Sequence, residues 1–214
     1  MRMSSRLVLL LLAAPALLAA CTQPAFKGDA CAGFEAQGLY QVRNSGFAEA
    51  CARRDAALPG FTAVDIGALD VSRVEIPRTH VMGTSPRDWQ MTAERQAALE
   101  AGWAEAMDRT FASFTRATGE PGVLRIAAQL TRIAPGRPSA TTIGGALQPV
   151  GSTQDVMEIW AEFRLYDGAD ERLLAVIRDS RTITTVQLSR TAPVTMRQLF
   201  GSWAALLHTR ITGR

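Results

Sequence analysis

The sequence feature that most constrains the fold is a pair of apolar segments joined by a short turn. Apolar residues occupy every second position from Met157 to Leu165, with charged or aromatic residues between them. Asp167-Gly168 then opens a turn, and residues 172–180 return as a second apolar-rich segment. Alternation over this length is typical of a half-buried strand, and an Asp-Gly pair is typical of a hairpin turn. The pattern predicts an antiparallel hairpin.

A long amphipathic helix is predicted before this hairpin. Apolar side chains recur at steps of four and three from Leu99 to Phe114, so they form one stripe on a helix. The helix has two candidate starts, at Pro86 and at Thr92, and Gly and Pro residues end it near Thr118.

The remaining elements follow from weaker patterns. Residues 61–77 are predicted to be extended, with the clearest alternation at 71–76, and residues 124–131 alternate as a second strand. The Gly- and Pro-rich residues 134–153 predict a long loop. A capping box of Thr195 and Gln198 predicts the start of a C-terminal helix. Residues 49–58 are compatible with one short helix.

The order strand, helix, strand, strand, strand, helix indicates the fold class. A right-handed crossover sets the first two strands parallel, and hairpins add the others antiparallel. We therefore expect an α/β fold, a two-layer sandwich in which a mixed four- to five-stranded sheet carries two main helices on one face.

The N-terminus predicts export and a lipid anchor. A basic start is followed by an apolar run, Leu7 to Ala20, of about 14 residues, which is shorter than the ~20 residues of a membrane-spanning helix. Leu18-Ala19-Ala20-Cys21 resembles the bacterial lipobox, in which cleavage precedes a cysteine that carries lipid, palmitate included. The alternative is an ordinary secretion signal. We expect a signal peptide at 1–20, a lipidated and disulfide-pinned segment at 21–60 and one α/β domain at 61–214, on the periplasmic side of the outer membrane.

From the balance of basic and acidic side chains, we expect that the protein does not bind nucleic acid. The chain has 23 Lys+Arg and 20 Asp+Glu. Removal of Arg2 and Arg6 with the signal leaves 21 against 20, and no basic cluster remains to contact phosphates.

Cysteine pairing is the next expectation. If Cys21 carries lipid, Cys31 and Cys51 remain in an oxidising compartment, where thiols tend to pair. Free thiols are the alternative. A zinc site has too few ligands near these cysteines, because the histidines are His80 and His208 only.

Three pieces of the sequence resemble one family of bacterial lipoproteins, catalogued as domain of unknown function 3313. These are the lipobox, the hairpin from Val156 to Asp179 and the Phe-x-x-Trp-Ala-x-x-Leu pattern that begins at Phe200. The hairpin and helix pieces cover residues 123–211, so the N-terminal third is expected to be a specialisation. The resemblance implies a location and a fold but no activity.

No catalytic constellation or cofactor motif stands out in the sequence. There is no Gly-x-Ser-x-Gly elbow and no metal-ligand spacing, so we expect no enzyme activity, no cofactor and no metal. Glu158 and Glu162 share one face of a strand, which also suits salt bridges on a solvent-facing surface.

That same face is the candidate binding surface. Trp160 and Tyr166, with Glu158, Glu162 and Arg164, would point away from the helices, and Trp, Tyr and Arg are enriched at interfaces. The alternative is that the N-terminal segment buries Trp160 against Phe34 or Tyr40.

Three functions remain as hypotheses. The first is a non-enzymatic envelope module that binds an envelope protein through this face or through residues 134–153. The second is an envelope hydrolase that uses Glu158, Glu162 or Asp179, and the third is a small-ligand carrier with a cavity between sheet and helices.

Overall fold

One large sheet and two helices make up the computed structural model. It describes residues 26–77, 90–136, 142–143, 146–147, 156–184 and 192–213. The elements are β1 Phe26–Ala30, β2 Leu39–Val42, β3 Glu49–Arg53, a 3₁₀ turn Leu58–Gly60, β4 Ala63–Asp70, α1 Ala93–Thr110, β5 Thr115–Arg116, β6 Val123–Gly136, β7 Thr142–Ile143, β8 Ala146–Leu147, β9 Val156–Asp167, β10 Leu173–Thr184 and α2 Ala192–Thr212.

The sheet has eight strands in the order β1-β2-β3-β10-β9-β6-β4-β5. β4 lies parallel to β6, and β6, β9 and β10 are antiparallel neighbours. The mixed α/β class and the pairing of the first, second, third and fourth predicted strands are therefore confirmed. The number of strands is wrong, because β1 to β3 extend the sheet beyond β10 and β5 adds a short edge.

Both helices cover the same face of this sheet. The ring of Phe163 in β9 stacks on Trp103 of α1, with 5.6 Å between centroids, and meets Trp203 of α2 edge-on at 5.5 Å. Phe200 of α2 also meets Trp103, at 6.0 Å. These rings are buried, so the core lies between the sheet and the two helices.

The short helix predicted at residues 49–58 is wrong. Residues 49–53 form β3, whose Glu49 to Ala52 pair with β10 from Arg178 to Ala175. Alanine prefers helix, but Ala50 and Ala52 are buried here as sheet residues. Pairing and burial outweigh a local preference of a few tenths of a kcal/mol per residue.

The first strand lies within the predicted extended residues 61–77, but it precedes the alternating part at 71–76. β4 spans Ala63–Asp70, and its register against β6 shifts between Ile66 and Leu69, which hides the alternation in the sequence. Residues 71–76 begin with a turn instead of a strand. Asp70 accepts hydrogen bonds there from the Ser72 amide and hydroxyl at 2.9 and 2.6 Å. Only Glu75 there bridges to β6, within the described residues.

The helix boundaries also differ from the predictions. α1 begins after Thr92, whose hydroxyl accepts from the Arg95 amide at 3.2 Å, as one of the two candidate starts predicts. It ends at Thr110, because residues 115–116 pair with β4 as β5. α2 begins at Ala192, so Thr195 lies inside the helix and is not its N-cap.

The predicted loop at 134–153 lies largely outside the described residues. β6 continues to Gly136, opposite Val156, and residues 142–143 and 146–147 pair with each other, so those parts are not loop. Residues 1–25, with Cys21, and residue His80 are also outside the described part. Among the residues described, no helix is both long and apolar enough to cross a bilayer.

The N-terminal strands are fastened to the helices as well as to the sheet. The Arg210 Nε of α2 donates to the Ser45 carbonyl at 2.7 Å, and the Ala48 amide donates to Asp179 of β10 at 3.0 Å. Phe47 packs against Phe163 at 6.2 Å. Strands on either side of the expected boundary at residue 60 thus belong to one sheet with one main core.

Candidate functional site

The candidate site is the sheet face opposite α1 and α2, called the open face below. On β9 it carries the five residues that the alternation places together: Glu158, Trp160, Glu162, Arg164 and Tyr166. The intervening residues Ile159, Ala161, Phe163 and Leu165 are buried in the core, so the assignment of the two faces follows.

A row of alternating charges crosses the open face. Glu162 accepts hydrogen bonds from Arg164 Nε at 2.6 Å and from Arg178 Nε of β10 at 2.8 Å. Arg178 also reaches Glu49 of β3, at 3.2 Å. Glu162 is only 8% exposed, so this carboxylate is held by two guanidinium groups with little access to water.

The electrostatics of Glu162 follow from these contacts. Burial alone would raise the pKa of Glu162, but the hydrogen bonds from Arg178 and Arg164 outweigh it and hold the pKa below its ordinary value. The same bonds raise the pKa values of both guanidinium groups. Glu162 is therefore a carboxylate at neutral pH and is suited to structural pairing, whereas a general acid needs a raised pKa.

The two aromatic residues of the open face each lie near an arginine. The guanidinium carbon of Arg132 lies 5.1 Å from the Trp160 ring centroid, and that of Arg125 lies 5.6 Å from the Tyr166 ring centroid. Trp160 and Tyr166 stay half-buried. Such cation–π pairs contribute about 0.5–1 kcal/mol at exposed sites.

The N-terminal segment covers one part of the open face. Cys31 and Cys51 form a disulfide, which confirms the predicted pair. They pack with Leu39 and Val176 in a small cluster that Phe34 joins. Arg178 also lies 5.3 Å from the Phe34 ring.

The contacts of the N-terminal segment differ from the alternative in which Phe34 or Tyr40 buries Trp160. The ring contact of Trp160 within the described residues is with Arg132. Tyr40 lies under Arg54, whose guanidinium carbon is 4.1 Å from the ring centroid. Phe34 therefore covers the β3–β10 side of the open face, and Trp160 lies outside that cover.

The third carboxylate of the hydrolase hypothesis lies on the other face. Asp179 is 5% exposed and accepts hydrogen bonds from Trp203 Nε1 at 2.8 Å, from the Ala48 amide at 3.0 Å and from Arg181 Nε at 2.7 Å. The sheet separates Asp179 from Glu158 and Glu162. No single pocket can therefore join all three.

The described histidine and the described carboxylates show no metal centre. His208 of α2 lies between Phe111 and Phe114, at 5.3 and 5.9 Å. Within the described ranges, no group of three or more His, Cys, Asp or Glu side chains could hold a metal ion.

A family model that matches most of the chain shows to which family the protein belongs. The family described as "Protein of unknown function (DUF3313)" matches residues 35–207. The chain belongs to the DUF3313 family.

The DUF3313 match begins after the lipobox but well before the hairpin and the C-terminal helix, which were the other two motifs that suggested it. It includes β2 and β3, together with Cys51, so most of the N-terminal third lies inside the family region. Cys31 lies before the matched region, so the expectation that the N-terminal third is a specialisation stays a prediction. No curated protein matches the sequence.

Several solved structures are similar to this DUF3313 chain at low identity. Protein XCC0632 from Xanthomonas campestris, of family DUF330, is 13% identical with a TM-score of 0.43, over 73% of this chain and 89% of that one. A PelC dodecamer from Paraburkholderia phytofirmans is 9% identical (TM-score 0.37; 68% and 88%). A minor lipoprotein from Acinetobacter baumannii is 11% identical (TM-score 0.32; 70% and 94%).

Sequence reasoning missed the partners of the candidate residues in this DUF3313 protein. Arg178 and Glu49 complete the charge row, and Arg132 lies against Trp160. Counting back from the Asp-Gly turn would not have placed Arg178 opposite Glu162, because the register of the hairpin shifts between Leu173 and Ala175. No local signal marks Glu49 either, since its pairing depends on a strand far away in the sequence.

Proposed function

We propose that this chain is a lipoprotein anchored through Cys21 to the periplasmic side of the outer membrane. We further propose that it is a non-enzymatic binding or accessory module that docks an envelope protein on the open face around Trp160. The observation that carries the proposal is the asymmetry of the sheet. Both helices cover one face, while the other keeps a half-buried Trp160 beside exposed strand residues.

The surroundings of Trp160 support a docking role. Across the sheet, Trp160 lies between Arg132 of β6 and Ser180 of β10, and Ser180 and Thr182 are exposed. Tryptophan and arginine are both enriched at protein–protein contacts. Arg132 Nε has no hydrogen-bond partner among the described residues and lies 3.8 Å from Glu75 Oε2.

The packing inside the protein supports a binding module over an enzyme or a carrier of small ligands. Glu162 is occupied by two arginines and Asp179 by three donors on the opposite face, so neither is poised for acid–base chemistry. The space between sheet and helices is filled by the rings of Trp103, Phe163 and Trp203. The contacts of Glu162, Asp179 and these rings in the described part of the chain therefore favour a binding role over a hydrolase or a small-ligand carrier.

Site-specific photocrosslinking in intact envelopes tests the proposal. A photoreactive residue replaces Ser180 or Thr182 on the open face, and in a matched control it replaces Ala101, an exposed residue of α1. We expect a discrete crosslinked protein from the first two positions only, reduced at least several-fold by Trp160→Ala. Equal crosslinking from Ala101, or none from the open face, would contradict docking there.

The anchor is tested in parallel by Cys21→Ser. We expect the unsubstituted protein to sediment with outer membranes, and the Cys21→Ser protein, which cannot be lipidated, to be lost from that fraction. If both variants are soluble in the periplasm, the ordinary secretion signal is the correct interpretation.

A further inference from the structure

The first described strand of the chain, β1, lies at an edge of the sheet. β1 pairs only with β2 among the described strands, and its register is irregular between Phe26 and Ala30. Gly28 there has a φ of +93°, and residues 27–30 are exposed. A short, exposed edge strand of this kind is expected to detach at low free-energy cost.

The segment around β3 is held much more firmly. β3 pairs with β10 and is largely buried, and Cys51 is 2% exposed. The residues just before β3 are tied to the body by Arg210 to the Ser45 carbonyl and by the Ala48 amide to Asp179. Residues 45–53 are thus part of the core in a way that β1 is not.

The disulfide connects these two unequal parts. Cys31 follows directly after β1 and Cys51 lies in the middle of β3, with a sequence separation of 20. The bond therefore bypasses the turn after β1, all of β2 and the β2–β3 connection. Its buried position, with Cys31 0% exposed, keeps it away from solvent thiols while the fold is intact.

We propose that the Cys31–Cys51 disulfide is the force-transmitting and retaining link between the lipid anchor and the folded body. This inference rests on the proposed function, because it takes Cys21 as the anchor. A pull on Cys21 enters at β1, and once β1 detaches, the disulfide passes the force straight to β3. A backbone cut between residues 32 and 50 also leaves the body covalently joined to the anchor.

The turn at residues 32–37 makes retention relevant. Residues 32, 33, 35, 36 and 37 are exposed, and Gly33 has a φ of +80°. Exposed turns rich in small residues are preferred sites of proteolytic cleavage. Without the disulfide, one cut here separates the anchor and β1 from everything that follows.

Cleavage at an inserted protease site tests retention. The recognition sequence of a site-specific protease is placed between Glu35 and Gln37, and in the control it is placed between Thr22 and Phe26, before Cys31. In a mild denaturant, which exposes the buried disulfide, we expect the cut body of the first protein to stay with the membrane until a reductant is added. The control and a Cys31→Ala/Cys51→Ala variant should release it at once. Release of the first protein without reductant would overturn the proposal.

The same samples separate the two proposals. If the uncut protein never sediments with membranes, the anchor hypothesis fails, while a non-reducing gel still shows whether the two cut parts are covalently joined. Joined parts support the link, and separated parts overturn it.

Single-molecule pulling from position 21 against the C-terminus tests force transmission. The ten residues from Cys21 to Cys31 allow about 35 Å of extension before the oxidised disulfide takes the load, at ~3.5 Å per residue. We expect the reduced molecule to add about 50 Å at low force before the body unfolds, as the roughly 14 residues from Cys31 to Ser45, β2 included, peel away. The main unfolding event of each molecule is the control, because it shows that the body was folded before the pull. Equal low-force extensions with and without reductant would overturn the proposal.

Discussion

The two faces of β9 show how one strand serves two environments. Toward the helices, Phe163 is fully buried among Trp103, Trp203 and Phe47. Toward the open face, Glu162 is buried too, but by two arginines. Phe163 is stabilised by the removal of apolar surface from water, whereas Glu162 is stabilised by charge-assisted hydrogen bonds.

The comparison indicates where the fold and the function can be separated. A change on the helix face disturbs a core shared by the sheet and both helices, so it tests stability. A change near Trp160 on the open face touches few buried neighbours, so it can alter binding while the fold persists. The following predictions test this division, from the largest expected effect to the smallest.

Phe163→Ala is expected to have the largest effect on stability. Removing a fully buried ring that contacts both helices should lower the free energy of unfolding by about 3–5 kcal/mol. Urea denaturation measures it. Tyr166→Ala, three residues along on the open face, is the matched control and should cost about 1 kcal/mol or less. Equal losses at the two positions would refute the division between the faces.

Asp179→Ala should come second, although the side chain that it removes is polar. The change leaves Trp203 Nε1, the Ala48 amide and Arg181 without their shared acceptor. A loss of about 2–3 kcal/mol is expected, because buried donors without partners are costly. Asp108→Ala removes a carboxylate that is exposed in α1 and should change stability by less than about 0.5 kcal/mol. Thermal unfolding of the two variants checks this.

Glu162→Gln should cost about 1–2 kcal/mol at neutral pH, reduced by the partial exposure of both arginines. The effect depends on pH in a defined direction. Because the folded-state pKa of Glu162 lies below its ordinary value of 4.5, its charge stabilises the fold above that pH. The contribution is lost as the pH falls through the folded-state pKa.

A pH series of urea denaturation tests this sign. The stability gap between the unsubstituted protein and Glu162→Gln should be constant near neutral pH and should narrow below about pH 4.5. Ser180→Ala, a neutral change on the neighbouring strand, should show no such narrowing. A gap that widens in acid would mean that the carboxylate is not stabilised by Arg164 and Arg178.

Trp160→Ala should have the smallest effect on stability, about 1 kcal/mol or less, since the ring is half-buried and its cation–π contact is exposed. The same variant should lose crosslinking to the envelope partner. Thermal unfolding and crosslinking are both measured on the same preparation of the Trp160→Ala protein. A variant that loses several kcal/mol would show that Trp160 belongs to the core.

The central part of the fold could be predicted because its signals are local. The alternation from Met157 to Leu165 and the stripe that includes Leu99 and Trp103 depend only on strand and helix periodicity. The family resemblance rested on the lipobox, on this hairpin and on the pattern that begins at Phe200, and the match over residues 35–207 confirms the family. The same alternation grouped Trp160 and Glu162 on one face, but it could not show which neighbours each would contact.

The N-terminal strands could not be predicted in the same way. β3 contains Ala50, Cys51 and Ala52, none of which favours a strand. β3 is a strand because β10 offers it a paired edge, more than 120 residues later in the chain. β4 was misplaced for a related reason, since a shift of register at Ile66 to Leu69 interrupts its alternation.

The sequence by itself determined the period of each central element, the pairing of Cys31 with Cys51 as the favoured bond, and the face on which Trp160 lies. Tertiary structure alone decided that β1 to β3 join β10, that Arg178 and Glu49 complete the charge row, and that Asp179 binds Trp203 under the helices. Periodicity is a property of neighbouring residues. Strand partners and buried ion pairs instead depend on groups that only the folded chain brings together.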